Sequence, residues 1–263
     1  MGSRQKPKYD LEKIKYATGS PTWERAVDLY ERGKVMRVQD NEHSFSATVI
    51  GSRPYEVWVS VEKFDVGDCI CYLGQKDELC KHLVALAVRV VVGGRPLTEK
   101  EKEMVSAPMC SGRRGELEAQ ALKSVQAAIS VAMKYIKAYS GPSRTWFAYQ
   151  ASLSEGCNRL AAIFSELPAS PQTAQLVVKT LLRLDDKLCR GGVDDSDGTV
   201  GGLMEDTVNM LIEYAKLDAS CAIAFRELTG RSTCFEWEEP LVRFIDMSGL
   251  PSSSPDRSAD AKL

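Results

Sequence analysis

The residues best suited to chemistry in this chain are three cysteines and a histidine that lie close together. They form Cys-x-Cys, an eight-residue spacer and Cys-x-His, at positions Cys69, Cys71, Cys80 and His82. Three thiolates and one imidazole make a complete tetrahedral ligand set for Zn²⁺, which favours sulfur and nitrogen ligands. The sequence therefore predicts a site for Zn²⁺ that uses all four residues.

The spacing suits one shared ion. Residues two apart in an extended segment point to the same side, so Cys69 and Cys71 can hold one metal together. Gly74 lets the spacer turn back, and Cys80 and His82 then close the site before the apolar run LVALAVRVVV. The alternative is a set of free core thiols with a hydrogen-bonded helix histidine. Four ligand-type residues within fourteen positions favour the metal site.

The ligand spacing resembles that of the SWIM-type zinc finger, and so does the sequence around it. Members of that family carry a helix, a Gly turn and a small β-meander before the first cysteine. The corresponding segments here are WERAVDLYERGK, VMRVQD, SFSATVIGS and YEVWVSVE, and CKHLVALAV resembles the closing helix. The resemblance runs from about Trp23 to Val92. It implies a zinc-binding module that binds nucleic acid, protein or both.

The same ligand set argues against catalysis. A catalytic zinc keeps one position open for water, whereas three cysteines and a histidine fill four. The chain has no Gly-x4-Gly-Lys-Ser/Thr phosphate loop and no Gly-x-Ser-x-Gly motif. The remaining histidine, His43, lies in a turn between two expected strands. We therefore expect a protein that is not an enzyme and has no small-molecule substrate.

Basic residues near the N-terminus and around the expected sheet are candidates for contacts to DNA or RNA. Residues 1–40 carry nine Lys or Arg and six Asp or Glu, and phosphate contacts would make binding salt-dependent. The candidates are Lys6, Lys8, Lys13, Arg37 and Arg53. Tyr55 and Trp58 could stack on bases, although alternating aromatic residues on a strand are more often part of a core.

The predicted fold class is α+β, with a three-stranded antiparallel β-meander, a zinc finger and flanking helices, followed by a helical bundle or short α-solenoid. Apolar residues recur at three- and four-residue steps through the second half of the chain. The predicted segments are a basic flexible arm (1–20), the finger domain (21–92), a linker (93–114), an all-helical domain (115–247) and a disordered tail (248–263). Helical regions of this kind often present a protein-binding surface. A second hypothesis is therefore a helical interaction scaffold with the finger as a structural cap.

The acidic turn Asp194–Gly198 leaves two alternatives open. It resembles the first half of a calcium-binding EF-hand loop, but the bidentate Glu of the twelfth position is not in register: counting from Asp195 gives Asp206, and counting from Asp194 gives Glu205. The other alternative, which we favour, is a turn in which Asp197 or Thr199 caps the next helix. Similar turns occur in the helical region of bacterial SWIM-containing proteins.

The composition of the chain indicates where the protein resides and whether its remaining cysteines are free. The net charge is −2, and no apolar run is long enough to span a membrane. We expect a cytoplasmic protein without a membrane partner, which would keep its cysteines reduced. Five cysteines remain outside the motif, and buried free thiols are the favoured interpretation over disulfides. These residues are Cys110, Cys157, Cys189, Cys221 and Cys234.

Overall fold

A computed structural model describes residues 6–142 and 146–247 of the chain. The fold is α+β, as predicted, with an antiparallel sheet and many helices. The chain divides into two compact units, which are Met1–Ser106 with Ser143–Arg159 and Ala107–Pro142 with Leu160–Leu263. The predicted disordered tail, 248–263, lies outside the described residues.

The first unit contains a four-stranded antiparallel sheet in the order β1-β2-β3-β4. The strands are β1 (Val35–Asp40), β2 (Ser44–Ile50), β3 (Pro54–Ser60) and β4 (Gly67–Cys69). The prediction of three strands is therefore wrong by one. Strand β4 could not be predicted from the sequence, because it has only three residues and includes Gly and Asp, which are rare in strands. Its pairing with β3 places Cys69 opposite Val57.

One face of this sheet packs against a buried helix. Side chains along β2 and β3 alternate between buried and more exposed positions, so every second residue faces the core. Helix α3 (Lys81–Val92) packs on this face, and its residues from Leu83 to Val88 are all buried. Helix α2 (Ser20–Glu31) packs on α3 and contributes Trp23 to the same core. The inward-facing strand residues are Phe45, Ala47, Val49, Val57 and Val59.

The predicted flexible arm contains a packed helix. Helix α1 spans Leu11–Ala17, and the Asp10 side chain at its N-cap accepts a hydrogen bond from the Lys13 backbone N–H. Ile14 is completely buried in the core of the first unit. Helix α1 departs from the flexible arm predicted for 1–20, because charged neighbours in the sequence concealed the apolar residues Leu11, Ile14 and Ala17 that pack on the core. Residues 1–5 lie outside the described residues.

The predicted linker begins with a short capped helix that belongs to the first unit. Helix α4 spans Glu99–Lys102, and the predicted capping box is present, with Thr98 as the N-cap and Glu101 at the third helical position. Two side chains from α1 and α2 donate hydrogen bonds of 2.8 Å to its backbone carbonyls. These donors are Lys15 Nζ, which reaches Lys100, and Trp23 Nε1, which reaches Lys102.

The second unit is built from helices in its described part, apart from one isolated bridge between Arg114 and Ala169. The predicted start at Ser170-Pro171 is confirmed, since the Ser170 hydroxyl caps the Thr173 N–H. No helix among the described residues is both long and apolar enough to cross a membrane. The longer helices are α5 (Ala119–Ala132), α6 (Trp146–Ser165, shared between the units), α7 (Pro171–Cys189), α8 (Thr199–Leu217) and α9 (Glu239–Met247).

Three of the five cysteines outside the motif are free, as predicted. Cys157 and Cys221 are buried, and Cys110 is partly buried. Cys189 and Cys234 instead form a disulfide, with their Cα atoms 6.3 Å apart. The prediction of free thiols is wrong for this pair, because 45 residues separate them and they meet only where the end of α7 approaches a later 3-10 segment.

Candidate metal centre

The four predicted ligands come from adjoining elements of the first unit. Cys69 ends β4, and Cys71 lies in the turn that follows. Cys80 is the N-cap of α3, and His82 lies in the first turn of that helix. Helix α3 packs on both β3 and β4, so the end of the strand meets the start of the helix. This packing brings the two halves of the motif together.

The ligand atoms are close enough to share one metal ion. They all lie within 4.8 Å of one another, and Cys69 Sγ is 3.6 Å from His82 Nδ1. With Zn–S of about 2.3 Å and Zn–N of about 2.0–2.1 Å, tetrahedral geometry separates sulfur and nitrogen by about 3.5 Å. The observed distance fits that geometry, with Nδ1 as the ligating nitrogen. These residues can therefore hold a metal ion.

Burial makes a bound cation favourable for this cluster. The exposed fraction is 1% for Cys69 and Cys80, 7% for Cys71 and 4% for His82. A hydrogen bond from Cys69 lowers the pKa of the Cys80 thiol to about 4, while that hydrogen bond and burial raise the pKa of Cys69. The two thiols therefore do not both ionise unless a nearby cation balances their charge.

One backbone N–H group lies at each of two sulfurs, those of Cys80 and Cys71. After the Cys69 hydrogen bond and the opposing effect of burial, contacts from His82 and the Leu83 N–H also lower the pKa of Cys80. The N-terminus of α3 adds its positive partial charge at the same place. On the other side of the cluster, the Gly74 N–H donates to Cys71 Sγ at 3.4 Å. These donors would orient and stabilise thiolate ligands.

The spacer passes so close to Cys69 that only glycine fits at position 74. A Cβ atom on Gly74 would lie 1.9 Å from the Cys69 carbonyl oxygen. From there the chain continues through a 3-10 turn, Gly74–Lys76, to Asp77, whose φ is +57°. The sequence predicted a turn at Gly74, and the structure adds the close approach that makes glycine necessary.

The imidazole of His82 is held by an aromatic contact that the sequence did not reveal. The Tyr55 ring stacks on it with centroids 4.3 Å apart and planes 27° apart. His82 Nε2 is buried and has no hydrogen-bond partner within the described chain. A Cβ atom on Gly51 would lie 2.8 Å from that nitrogen. Gly51 thus leaves room for the ring, and the stack aims Nδ1 at the cysteines.

Two of the predicted nucleic-acid contacts are engaged in ion pairs. Lys8 Nζ lies 2.7 Å from a carboxylate oxygen of Glu62, and both side chains are exposed. Lys13 pairs with Glu155, whose side chain is almost completely buried. A buried carboxylate needs a cation nearby, so Lys13 has a structural role. This arrangement removes Lys13 from a free basic surface.

The other three candidates lie in different settings. Lys6 and Arg37 are exposed and have no ion-pair partner in the described part of the chain. Arg37 has a φ of +54° in β1, next to a register shift between Met36 and Gln39. The Arg53 guanidinium lies 5.4 Å from the Tyr55 ring centroid. The candidate basic residues are therefore in varied environments, and some already have partners.

The acidic turn caps a helix, as the favoured alternative predicted. The two carboxylate oxygens of Asp195 accept hydrogen bonds from the Val200 and Gly201 N–H groups at 2.7 and 2.8 Å. Asp197 accepts from the Thr199 backbone and hydroxyl at 3.2 and 2.9 Å. These bonds satisfy the open N–H groups at the start of α8. Asp195, rather than Asp197 alone, is the main cap.

Asp185 lies beside the disulfide and forms a second group of ligand-type side chains. Its Oδ1 accepts hydrogen bonds from the Cys234 N–H at 2.8 Å and from Trp237 Nε1 at 2.9 Å. Both sulfurs are already joined to each other, through Cys189 and Cys234. This group is therefore explained as a clamp that fastens a 3-10 segment to α7.

Trp58 lies on the outer face of the sheet. The strand alternation predicted one buried face, and Val57 and Val59 occupy it. Trp58 between them is consequently 41% exposed. The core alternative proposed for this residue is wrong, because its neighbours on both sides face inward.

No family model, curated protein or solved structure matches this chain at a significant level. The chemistry of the ligand cluster and the surfaces around it are therefore the features that bear on function.

Proposed function

We propose that the Cys3His cluster holds one Zn²⁺ as a structural centre of the SWIM type. The observation that carries this proposal is the buried set of four ligand atoms, with Cys69 Sγ and His82 Nδ1 3.6 Å apart. Thiolate and imidazole donors favour zinc over calcium or magnesium, which prefer oxygen. Three thiolates and a neutral imidazole around a dication carry a net charge of −1, which suits a structural ion more than a Lewis acid.

The order of elements around the cluster supports the SWIM-type assignment. The Cys-x-Cys half begins at the end of a strand, and the Cys-x-His half begins a helix. A helix ending before Gly33 and three longer strands precede the first cysteine. This order agrees with what the sequence resemblance implies. The ligand spacing remains the most specific part of the likeness.

The proposed role of the first unit is binding rather than catalysis. All four positions of a tetrahedral zinc would be filled by protein, and the ligands are nearly inaccessible to water. Metal binding would then contribute folding free energy to the sheet and α3. A rigid exposed face on a zinc-stabilised sheet is suited to binding a macromolecular partner.

We favour a protein partner, with nucleic acid as the second candidate. The ion pairs of Lys8 and Lys13 reduce the free positive charge on the first unit. Exposed Lys6 and Arg37 are the observation that keeps DNA or RNA as a candidate. The alternative scaffold hypothesis assigns partner binding to the helices of the second unit, with the finger as a structural cap.

Metal analysis and fluorescence anisotropy together test this proposal. We expect one zinc per chain, and weak, salt-sensitive binding at most to single-stranded DNA, duplex DNA or RNA. Tight binding that is lost in a Lys6→Glu/Arg37→Glu variant, but kept in Lys179→Glu on α7, would make nucleic acid the primary partner. A zinc-free chain with native stability would contradict the structural zinc centre.

A further inference from the structure

Trp58 is exposed although it lies on β3, one of the two central strands of the sheet. Strand β3 is paired on both sides, and Trp58 lies directly between Ser46 of β2 and Asp68 of β4. Ser46 is small and Asp68 is exposed, so neither covers the indole. A ring of this size left 41% exposed on a paired strand offers a large apolar contact surface.

Two more apolar side chains extend this surface along β4. Val66 precedes the strand and Ile70 follows it, and they are 46% and 45% exposed. Alternation along the chain places both on the same side as Asp68. The Ser60 N–H donates to the Val66 carbonyl at 2.8 Å, so the pairing with β3 continues to that residue. Val66 therefore lies diagonally beside Trp58, and Ile70 follows Cys69, the last residue of β4 that pairs with β3.

Two carboxylates, those of Asp68 and Glu56, lie next to this apolar surface. Asp68 is directly opposite Trp58, and it has no ion-pair partner in the described part of the chain. Glu56 precedes Trp58 by two residues on the same face of β3, and its carboxylate accepts a hydrogen bond from Thr48 at 3.0 Å. Phosphates would be repelled here, whereas a cation would be attracted to both the carboxylates and the indole face.

We propose that this face, formed by Glu56, Trp58, Val66, Asp68 and Ile70 and called here the Trp58 face, binds a basic segment of a partner protein. A Lys or Arg side chain of that segment lies on the indole and directs its charged end to Asp68. The apolar stem of the same side chain packs against Val66 or Ile70, which flank Asp68. This inference rests on the proposed role of the first unit as a binding module and specifies the chemistry of its partner.

Titration of the full-length, zinc-loaded protein with an eight-residue Arg-Gly repeat peptide tests the Trp58 face. We expect saturable binding, followed by isothermal calorimetry, that weakens about 3- to 30-fold in Trp58→Ala. Asp68→Asn should weaken it about fivefold. Glu42→Gln is the matched control, since it removes an exposed carboxylate from the β1–β2 turn, where its side chain is 90% exposed. That control should bind as the unchanged protein does.

Three results would overturn the proposal. These are no saturable binding by the peptide, equal weakening in Glu42→Gln and Asp68→Asn, or a single-stranded oligonucleotide whose binding is lost in Trp58→Ala. Zinc content measured on the same samples separates this proposal from the metal centre. A protein with one zinc and no peptide binding rejects the Trp58 face alone, whereas a variant without zinc reports a damaged centre.

Discussion

Cys69 and the Leu83 N–H donate hydrogen bonds that stabilise the thiolate of Cys80, so the loss of Cys80 should have a clear effect on metal binding. Cys80→Ser removes a soft donor at the start of α3, and we expect bound zinc to be lost. The free energy of unfolding should fall by about 4 kcal/mol or more, because metal binding contributes to folding. Metal analysis and urea unfolding measure both effects. Cys110→Ser, which changes a free cysteine outside the cluster, should keep its zinc. Native zinc content in Cys80→Ser would contradict the role of Cys80 as a ligand.

Gly74 should tolerate no side chain. In Gly74→Ala the new methyl group would lie 1.9 Å from the Cys69 carbonyl oxygen, so the spacer must move and carry Cys71 with it. We expect zinc affinity to fall at least tenfold, measured by competition with a chromogenic chelator. Gly202→Ala is the control, because a Cβ there meets nothing within 4 Å. Equal zinc affinity in the two variants would show that the close approach is unimportant.

The cluster of three cysteines and a histidine could be predicted from the sequence, because residue type and short spacing identify side chains that can hold a metal ion. The stack of Tyr55 on His82 could not, because it depends on the pairing of β2 with β3 and on the packing of α3. Nothing in the sequence around Gly51 indicates that a glycine is needed there. It is needed because the His82 ring, 31 positions later in the chain, lies against it. Contacts around a metal centre thus follow from tertiary structure more than from the motif.

At the scale of single elements, α4 offers a test through its capping box. Hydrogen bonds from Arg95, and then from the Thr98 backbone, lower the pKa of Glu101 to about 2. A carboxyl group with a lowered folded-state pKa stabilises the protein above its unfolded pKa, and that contribution disappears as the pH falls through the folded pKa. Glu101→Gln should therefore be less stable than the unchanged protein at pH 7, with the difference vanishing between about pH 4.5 and pH 2.

Urea unfolding at several pH values measures this difference. Glu42→Gln serves as the control, because the Glu42 side chain is 90% exposed. At pH 7, Glu42→Gln should differ less in stability from the unchanged protein than Glu101→Gln does. A constant difference for Glu101→Gln at every pH would mean that the capping interaction does not depend on the charge of Glu101.

Element predictions succeeded where the pattern was long or had a specific cap, and failed where it was short. The capping box and the Ser170-Pro171 helix start were both recognisable from local residues. Strand β4 was missed because three residues carry no usable alternation. Helix α1 was missed because it has only seven residues, and its apolar residues Leu11, Ile14 and Ala17 are too few to make a recognisable pattern. Such elements are stabilised by their neighbours more than by their own sequence.

For the whole molecule, the disulfide between Cys189 and Cys234 leads to a testable count of free thiols, which differs from the count expected from the sequence. The denatured, chelated and unreduced protein should show six free thiols by reaction with Ellman's reagent, out of eight cysteines. Serine at both Cys189 and Cys234 should lower the free energy of unfolding by about 2–4 kcal/mol, because the closed loop spans 45 residues. Eight reactive thiols, with unchanged stability of the double variant, would contradict the bond.

Which residues belong to each of the two units could be predicted only in part from the sequence. The change from alternating strands to helical periodicity predicted an α+β part followed by a helical part. The contribution of Ser143–Arg159 to the first unit was not predictable, because a helix pattern does not reveal where its residues pack. Glu155 illustrates this point: its carboxylate is buried beside Lys13, 142 positions earlier in the chain.

X-ray absorption spectroscopy at the zinc edge, on the purified protein, identifies the atoms that surround the bound metal. We expect one zinc with three sulfur neighbours at about 2.3 Å and one nitrogen neighbour at about 2.0–2.1 Å. In Cys80→Ser that first shell should be lost or should contain one sulfur fewer. A shell dominated by oxygen, or a protein that binds no zinc when folded and reduced, would contradict the Cys3His centre.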